Sequence, residues 1–189
     1  MKQNYGPSKE LLLDRELLFT LRSSSSLKQR VSKIFELLRD PVYRYFFRVL
    51  ESQEEAEDLT QEVFLRLFTC LHQGQALGNI RAWVFRVAHN LAVDRQRKKV
   101  PLEVADPAVW DNTQDSAPGA EQQLLEAEQY NKLQVALARL NSHEKQCLEL
   151  RAEGLSYQEI ANILDMRLPT LAKHVGRIIE KLVREITHD

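Results

Sequence analysis

The chain is short of residues that break or cross-link a fold: 189 residues contain six glycines, six prolines and two cysteines. So few breakers exclude a loop-rich, disulfide-stapled scaffold and favour continuous helices. Cys70 and Cys147 are isolated, each inside an apolar helical pattern, and are expected to be buried thiols of a reducing compartment. No stretch approaches the roughly 18 to 20 uninterrupted apolar residues of a membrane span, so no membrane insertion is expected. Met1 to Pro7 is polar, and Leu11-Leu12-Leu13 runs straight into Asp14-Arg15-Glu16. That start lacks the apolar core of a secretory signal, and a cytoplasmic protein is predicted. Catalytic signatures are missing too. There is no glycine-rich phosphate loop, and His72, His89, His143, His174 and His188 show no ligand spacing with cysteine or carboxylate. The expectation is a binding protein with no cofactor and no metal, not an enzyme.

What the chain does have is 28% charged residues, sorted into blocks, although the net charge is only −1. Glu51 to Glu62 holds Glu51, Glu54, Glu55, Glu57, Asp58 and Glu62 and no base. Arg81 to Lys99 carries Arg81, Arg86, Arg95, Arg97, Lys98 and Lys99 against Asp94 alone. Leu102 to Asn131 has seven acids and no base. Alternating blocks predict several partners, and a chain this balanced is not built to hold DNA unaided.

Helical periodicity runs through Asp14 to Arg22 and Leu27 to Arg39, with Ser23 to Ser26 between them. Pro41 is expected to open a separate helix, Val42 to Glu51. In the next helix, Ser52 to Leu71, residues Ala56, Leu59, Val63 and Leu67 form the core stripe. Gly74 and Gly78 bracket a loop, and Asn79 is positioned to cap a helix from Arg81 to Lys99. Its predicted buried face is Trp83, Phe85, Val87, Ala88 and Leu91. Pro101, Pro107, Pro118 and Gly119 then interrupt all periodicity, and helices resume near Glu121. The reading is all-α: an N-terminal extension (1–13), a helical domain (14–100), an acidic extended linker (101–123) and a second helical domain (124–189).

In the second domain Ser156 and Glu159 have the spacing of a capping box, with Leu155 and Ile160 placed as a hydrophobic staple. Asp165-Met166-Arg167 makes a short break before a helix whose core face is Leu171, Val175, Ile178 and Leu182. Its other face carries Thr170, Lys173, His174, Arg177, Lys181 and Arg184, the pattern of a helix-turn-helix with a basic recognition helix. In the first domain Asp58, Gln61, Glu62 and Leu65 share an acidic face with a leucine in it, suited to a basic protein partner. Arg86, Asn90, Asp94, Arg97 and Lys98 form a polar stripe that fits phosphates and a base edge, beside a loop and Trp83 that could receive an unstacked base. On residues alone a one-component DNA-binding regulator and a helical protein-binding adaptor also remain open.

Three segments carry a resemblance. Ala56 to Leu67, Trp83 to Arg95 and Gly154 to Ala161 are similar, in that order, to signatures of regions 2.2, 2.3–2.4 and 4.2 of the sigma-70 superfamily, in its extracytoplasmic-function group. The resemblance implies an RNA polymerase sigma factor, with core polymerase, promoter DNA and an anti-sigma factor as partners. It implies that Asp58, Gln61, Glu62 and Leu65 meet the clamp helices of the polymerase large subunit. The Gln73 to Ile80 loop would capture a flipped base, and Asn79, Trp83, Arg86, Asn90, Asp94, Arg95, Arg97 and Lys98 would face −10 DNA. Thr170, Lys173, His174, Arg177 and Lys181 would face −35 DNA. Asp165 and Arg167 stand where many members have glycine and serine. Ala172 and His174 stand where bases are common, which implies an altered −35 contact.

Overall fold

A computed structural model of the chain describes residues 9–23, 25–98 and 130–187. The linker expected at 101–123 lies outside them. The described residues form eight helices and no strand: α1 (Lys9–Arg22), α2 (Leu27–Leu50), α3 (Gln53–His72), α4 (Ile80–Lys98), α5 (130–138), α6 (Ser142–Ala152), α7 (Tyr157–Ile163) and α8 (Leu168–Thr187).

One expected boundary is wrong. Pro41 does not start a helix; it lies within the single helix α2. Proline removes one backbone bond and crowds the carbonyl a turn earlier, a cost of about 3 kcal/mol or more. Against this, Ile34, Leu38, Val42, Tyr45, Phe46 and Val49 make one unbroken buried stripe across the proline. Burying each such side chain contributes roughly 1.5–3 kcal/mol, and the stripe is kept only if the helix continues. A second correction concerns α4, whose buried face is Ile80, Arg81, Val84, Phe85, Ala88, His89, Leu91 and Ala92, with Trp83 and Val87 only half-buried. The expected α3 stripe is buried throughout.

Local signals set the helix ends. Ser26, Ser52, Asn141 and Ser156 cap α2, α3, α6 and α7, three of them with complete capping boxes. Helices α3, α6 and α7 close the same way, with the residue two past the last turn bonding back to the carbonyl five before it: Gln75 to Cys70 at 3.2 Å, Leu155 to Leu150 at 3.3 Å and Met166 to Ala161 at 2.8 Å. The residue between must be left-handed, and it is Gly74 (φ 74°), Gly154 (φ 79°) and Asp165 (φ 52°).

Helices α1 to α4 form one bundle, with α2 against α3 as its main packing and α4 crossing both. Helices α6 to α8 form a second unit. The second unit is seated on the first, α6 against α2 and α7 against α4, so that the buried apolar residues of both make one continuous cluster. Both cysteines are buried and unpaired.

Candidate nucleic-acid and partner interfaces

On α3 the core stripe turns Ala56, Leu59, Val63 and Leu67 inward, which leaves Asp58, Gln61 and Leu65 exposed along the opposite side. Leu65 is 63% exposed, an apolar spot among carboxylates. Glu62 is half-buried and receives Arg66 Nε at 2.7 Å, so part of the acidic face is already neutralised within the helix. Next to it an open cleft of about 400 Å³ is walled by Glu62, Leu65 and Arg66 of α3 and by Gln73, Gln75 and Trp83 beyond its end. The cleft joins the acidic face to the loop. Sequence periodicity had no means of joining them, because the loop's return path is set by Gly74.

Across the loop, Asn79 caps α4 by accepting the Ala82 amide at 2.9 Å. The buried stripe Ile80, Val84, Phe85, Ala88 and Leu91 sets the rotation of α4, and Arg86, Asn90, Asp94, Arg97 and Lys98 all come out on its exposed side. Arg95 is turned away from them, toward Glu55 of α3 at 3.5 Å. Of the eight residues expected at −10 DNA, five therefore form a continuous exposed stripe. Trp83 belongs to the cleft, and Arg95 and Asn79 are engaged by other parts of the chain.

The helix-turn-helix is α7 and α8. Leu155 and Ile160 are fully buried, as a staple requires, and Leu171, Val175 and Ile178 face them. Thr170, Lys173 and Arg177 stand exposed on the far side of α8. His174 and Lys181 do not join them. His174 packs edge-on against His143 of α6, and Lys181 donates to Glu144 at 3.2 Å and to the Arg139 carbonyl at 3.2 Å. Both lie on the flank of α8 that meets α5 and α6.

Between the two units runs a polar seam. Arg48 of α2 meets Glu149 of α6 at 2.6 Å, and Lys145 of α6 meets Glu51 at 2.9 Å. Gln96 of α4 donates to Ser142 Oγ at 2.9 Å and accepts from Gln146 at 3.2 Å. Arg81 spans from Asp14 of α1 at 2.8 Å to the Glu153 carbonyl at 3.0 Å. Asn79 Nδ2, at the edge of the loop, donates to Glu159 of α7 at 2.5 Å. Burial raises the pKa of Glu149 and Glu153, with Arg48 and Arg44 acting in the opposite sense. Such groups are matched across the seam and would be costly to bury alone, yet each can exchange its partner for water if the units part.

The described residues thus define an all-helical protein with an acidic helix face, a basic stripe and a helix-turn-helix. Comparison narrows the class. The Sigma-70 region 2 family matches residues 34–100, and Sigma-70, region 4, matches residues 130–182. The ECF RNA polymerase sigma factor SigE of Mycolicibacterium smegmatis is 35% identical over 148 residues, covering 75% of this chain, which spans 57% of that protein. The ECF RNA polymerase sigma factor EcfG of Rhodopseudomonas palustris is 30% identical over 131 residues, 68% of this chain and 70% of the relative. In fold, the chain is similar to the sigma factor RpoE solved in complex with the anti-sigma factor NepR from Bartonella quintana, with a TM-score of 0.65 at 18% identity over 84% of this chain and 97% of that one. The chain belongs to the sigma-70 family, in its extracytoplasmic-function group.

Proposed function

We propose that this chain is a cytoplasmic RNA polymerase sigma factor, which binds core polymerase through α3 and recognises promoter DNA through α4 and α8. Its work is binding and positioning, not catalysis. The observation that carries this reading is the separation of surfaces on one rigid bundle. Asp58, Gln61 and Leu65 point out from α3, and Arg86, Asn90, Arg97 and Lys98 from α4, and a cleft at the end of α3 is lined by Leu65 and by Trp83 of α4. Carboxylates around an exposed leucine fit a basic, partly apolar helix pair on a larger machine. A cationic stripe on the same helix as the cleft-lining Trp83 fits a strand whose bases have left the stack.

The helix-turn-helix supplies the second contact, through Thr170, Lys173 and Arg177, to duplex DNA upstream. In the packed arrangement Asn79 is held by Glu159, so the −10 loop and the helix-turn-helix are fastened together. Docking on polymerase separates them, and two weak DNA contacts then act jointly through effective concentration. An anti-sigma partner would act by keeping these surfaces covered.

The test is run-off transcription with purified core polymerase. The double substitution Asp58→Lys with Glu62→Lys should remove core binding and promoter-directed transcripts while the helical circular-dichroism signal stays unchanged. A variant that transcribes normally, or a wild-type chain that binds its site tightly as a dimer without polymerase, would overturn the assignment in favour of a stand-alone regulator.

A further inference from the structure

Three histidines occupy the seam and its immediate support, and none of the surfaces above uses all of them. His89 of α4 is buried, its Nδ1 3.2 Å from the hydroxyl of Tyr45 on α2. His143 stands at the start of α6, close enough to His89 to act on it electrostatically. His174 of α8 packs against His143 with ring centroids 5.4 Å apart at 71°, and its Nε2 is buried without a hydrogen-bond partner. The line thus runs from the first unit, across the seam, into the helix-turn-helix.

The surrounding charges leave the line poorly compensated. Tyr45 faces His89 from α2 and lies under the influence of Glu149, itself held by Arg48. Acids and bases from the other elements on α4 pair elsewhere along it: Asp14 of α1 with Arg81, Glu55 of α3 with Arg95, Glu159 of α7 with Asn79. Glu144 is the carboxylate that acts on His143 and His174, and it also takes Lys181.

We propose that His89 and His143, with His174 packed against His143, form a proton-operated latch, in which proton uptake on His89 and His143 on mild acidification loosens α6 from α2 and α4 and parts the two units. Adjacent imidazolium rings repel, and a buried one loses hydration that opening restores. Burial, with His143 second, pushes His89 down to about 4 from the ordinary 6.5. Burial, then His174, lowers His143 as well. The sign follows. A histidine whose pKa is lower in the packed form favours that form fully above pH 6.5 and loses this preference as pH falls toward 4. Each proton taken up on opening raises the open-to-packed ratio by up to tenfold per pH unit. Glu149 and Glu153, raised in the packed form, work the other way: their protonation favours packing as pH falls. The histidine and carboxylate effects oppose each other as pH falls, and the latch opens where proton uptake on His89 and His143 is the larger of the two.

The latch acts in the chain by itself, without polymerase. The full chain, labelled at Glu54→Cys and Glu180→Cys, two exposed sites on α3 and α8, reports separation by energy transfer. Transfer should drop between pH 7.5 and 5, corresponding to an open-to-packed change on the order of tenfold or more, with helical content constant. The triple variant His89→Gln, His143→Gln, His174→Gln should show no drop, or a slight rise from the glutamates. The double variant His143→Gln, His174→Gln leaves the Tyr45–His89 pair intact and should show a shallower drop; it decides the matter if the triple variant does not fold. A wild-type chain with constant transfer, or histidine variants that follow the wild-type curve, would overturn the latch.

Discussion

At the scale of single residues, Asp165 shows how a local rule and its exception share one turn. Three helices end in the same backbone motif, two with glycine in the left-handed position and one with aspartate at φ 52°. A side chain there costs more than glycine does, though aspartate tolerates the region better than most. Asp165→Gly should therefore raise stability by about 0.5–1 kcal/mol, seen as a higher melting temperature with unaltered helix content. A lower melting temperature would mean that the aspartate side chain itself holds the turn. The sequence made this position legible because the spacing of a turn is local. Pro41 inside α2 departs from the local expectation for the complementary reason. Proline's preference is local too, but a stripe of buried residues from Ile34 to Val49 overrides it, and its weight appears only when α3 and α4 are in place.

At the scale of elements, α8 carries two kinds of polar residue that look alike in sequence. Lys173 and Arg177 project to solvent; His174 and Lys181 lie against α6 and α5. Their substitutions should separate in two measurements. Lys173→Ala and Arg177→Ala should each reduce the salt dependence of binding to upstream duplex by about one phosphate contact, leaving stability within about 0.5 kcal/mol. Lys181→Ala should lower stability and leave the salt slope nearly unchanged. If Lys181→Ala instead flattens the salt slope, its place against Glu144 is not kept on DNA. The helix before it depends on its cap: Ser156→Ala removes the acceptor for the Glu159 amide and should cost about 1 kcal/mol in thermal or denaturant unfolding. The capping box, the staple and the core face of α8 could all be read in advance, since each is a pattern within one or two turns. Which flank of the basic stripe meets α6 could not, because that depends on how α6 returns across α8.

At the scale of the whole molecule, the seam joins residues that no sequence pattern pairs: Arg48 and Glu149 are 101 positions apart, Asn79 and Glu159 80 apart. The charge blocks were visible, and they suggested separate partners; part of that charge is in fact spent within the chain. A seam of ion pairs and side-chain amide hydrogen bonds is poorly suited to be permanent, because removing one partner strands the other while water can replace both at little cost. Arg48→Glu would set two carboxylates face to face under α6. With Glu149 buried and Arg48 partly exposed, the packed arrangement should weaken by about 1–2 kcal/mol. The labelled chain would then show reduced energy transfer at pH 7.5, and promoter DNA would bind more tightly without polymerase, since Asn79 and the helix-turn-helix are released. Adding Glu149→Arg restores an opposite pair with the charges exchanged and should recover most of the transfer. Recovery isolates the pair from its surroundings, as a double-mutant cycle does. If Arg48→Glu leaves transfer and DNA binding as they were, the seam neither holds the two units together nor restrains the DNA-binding surfaces.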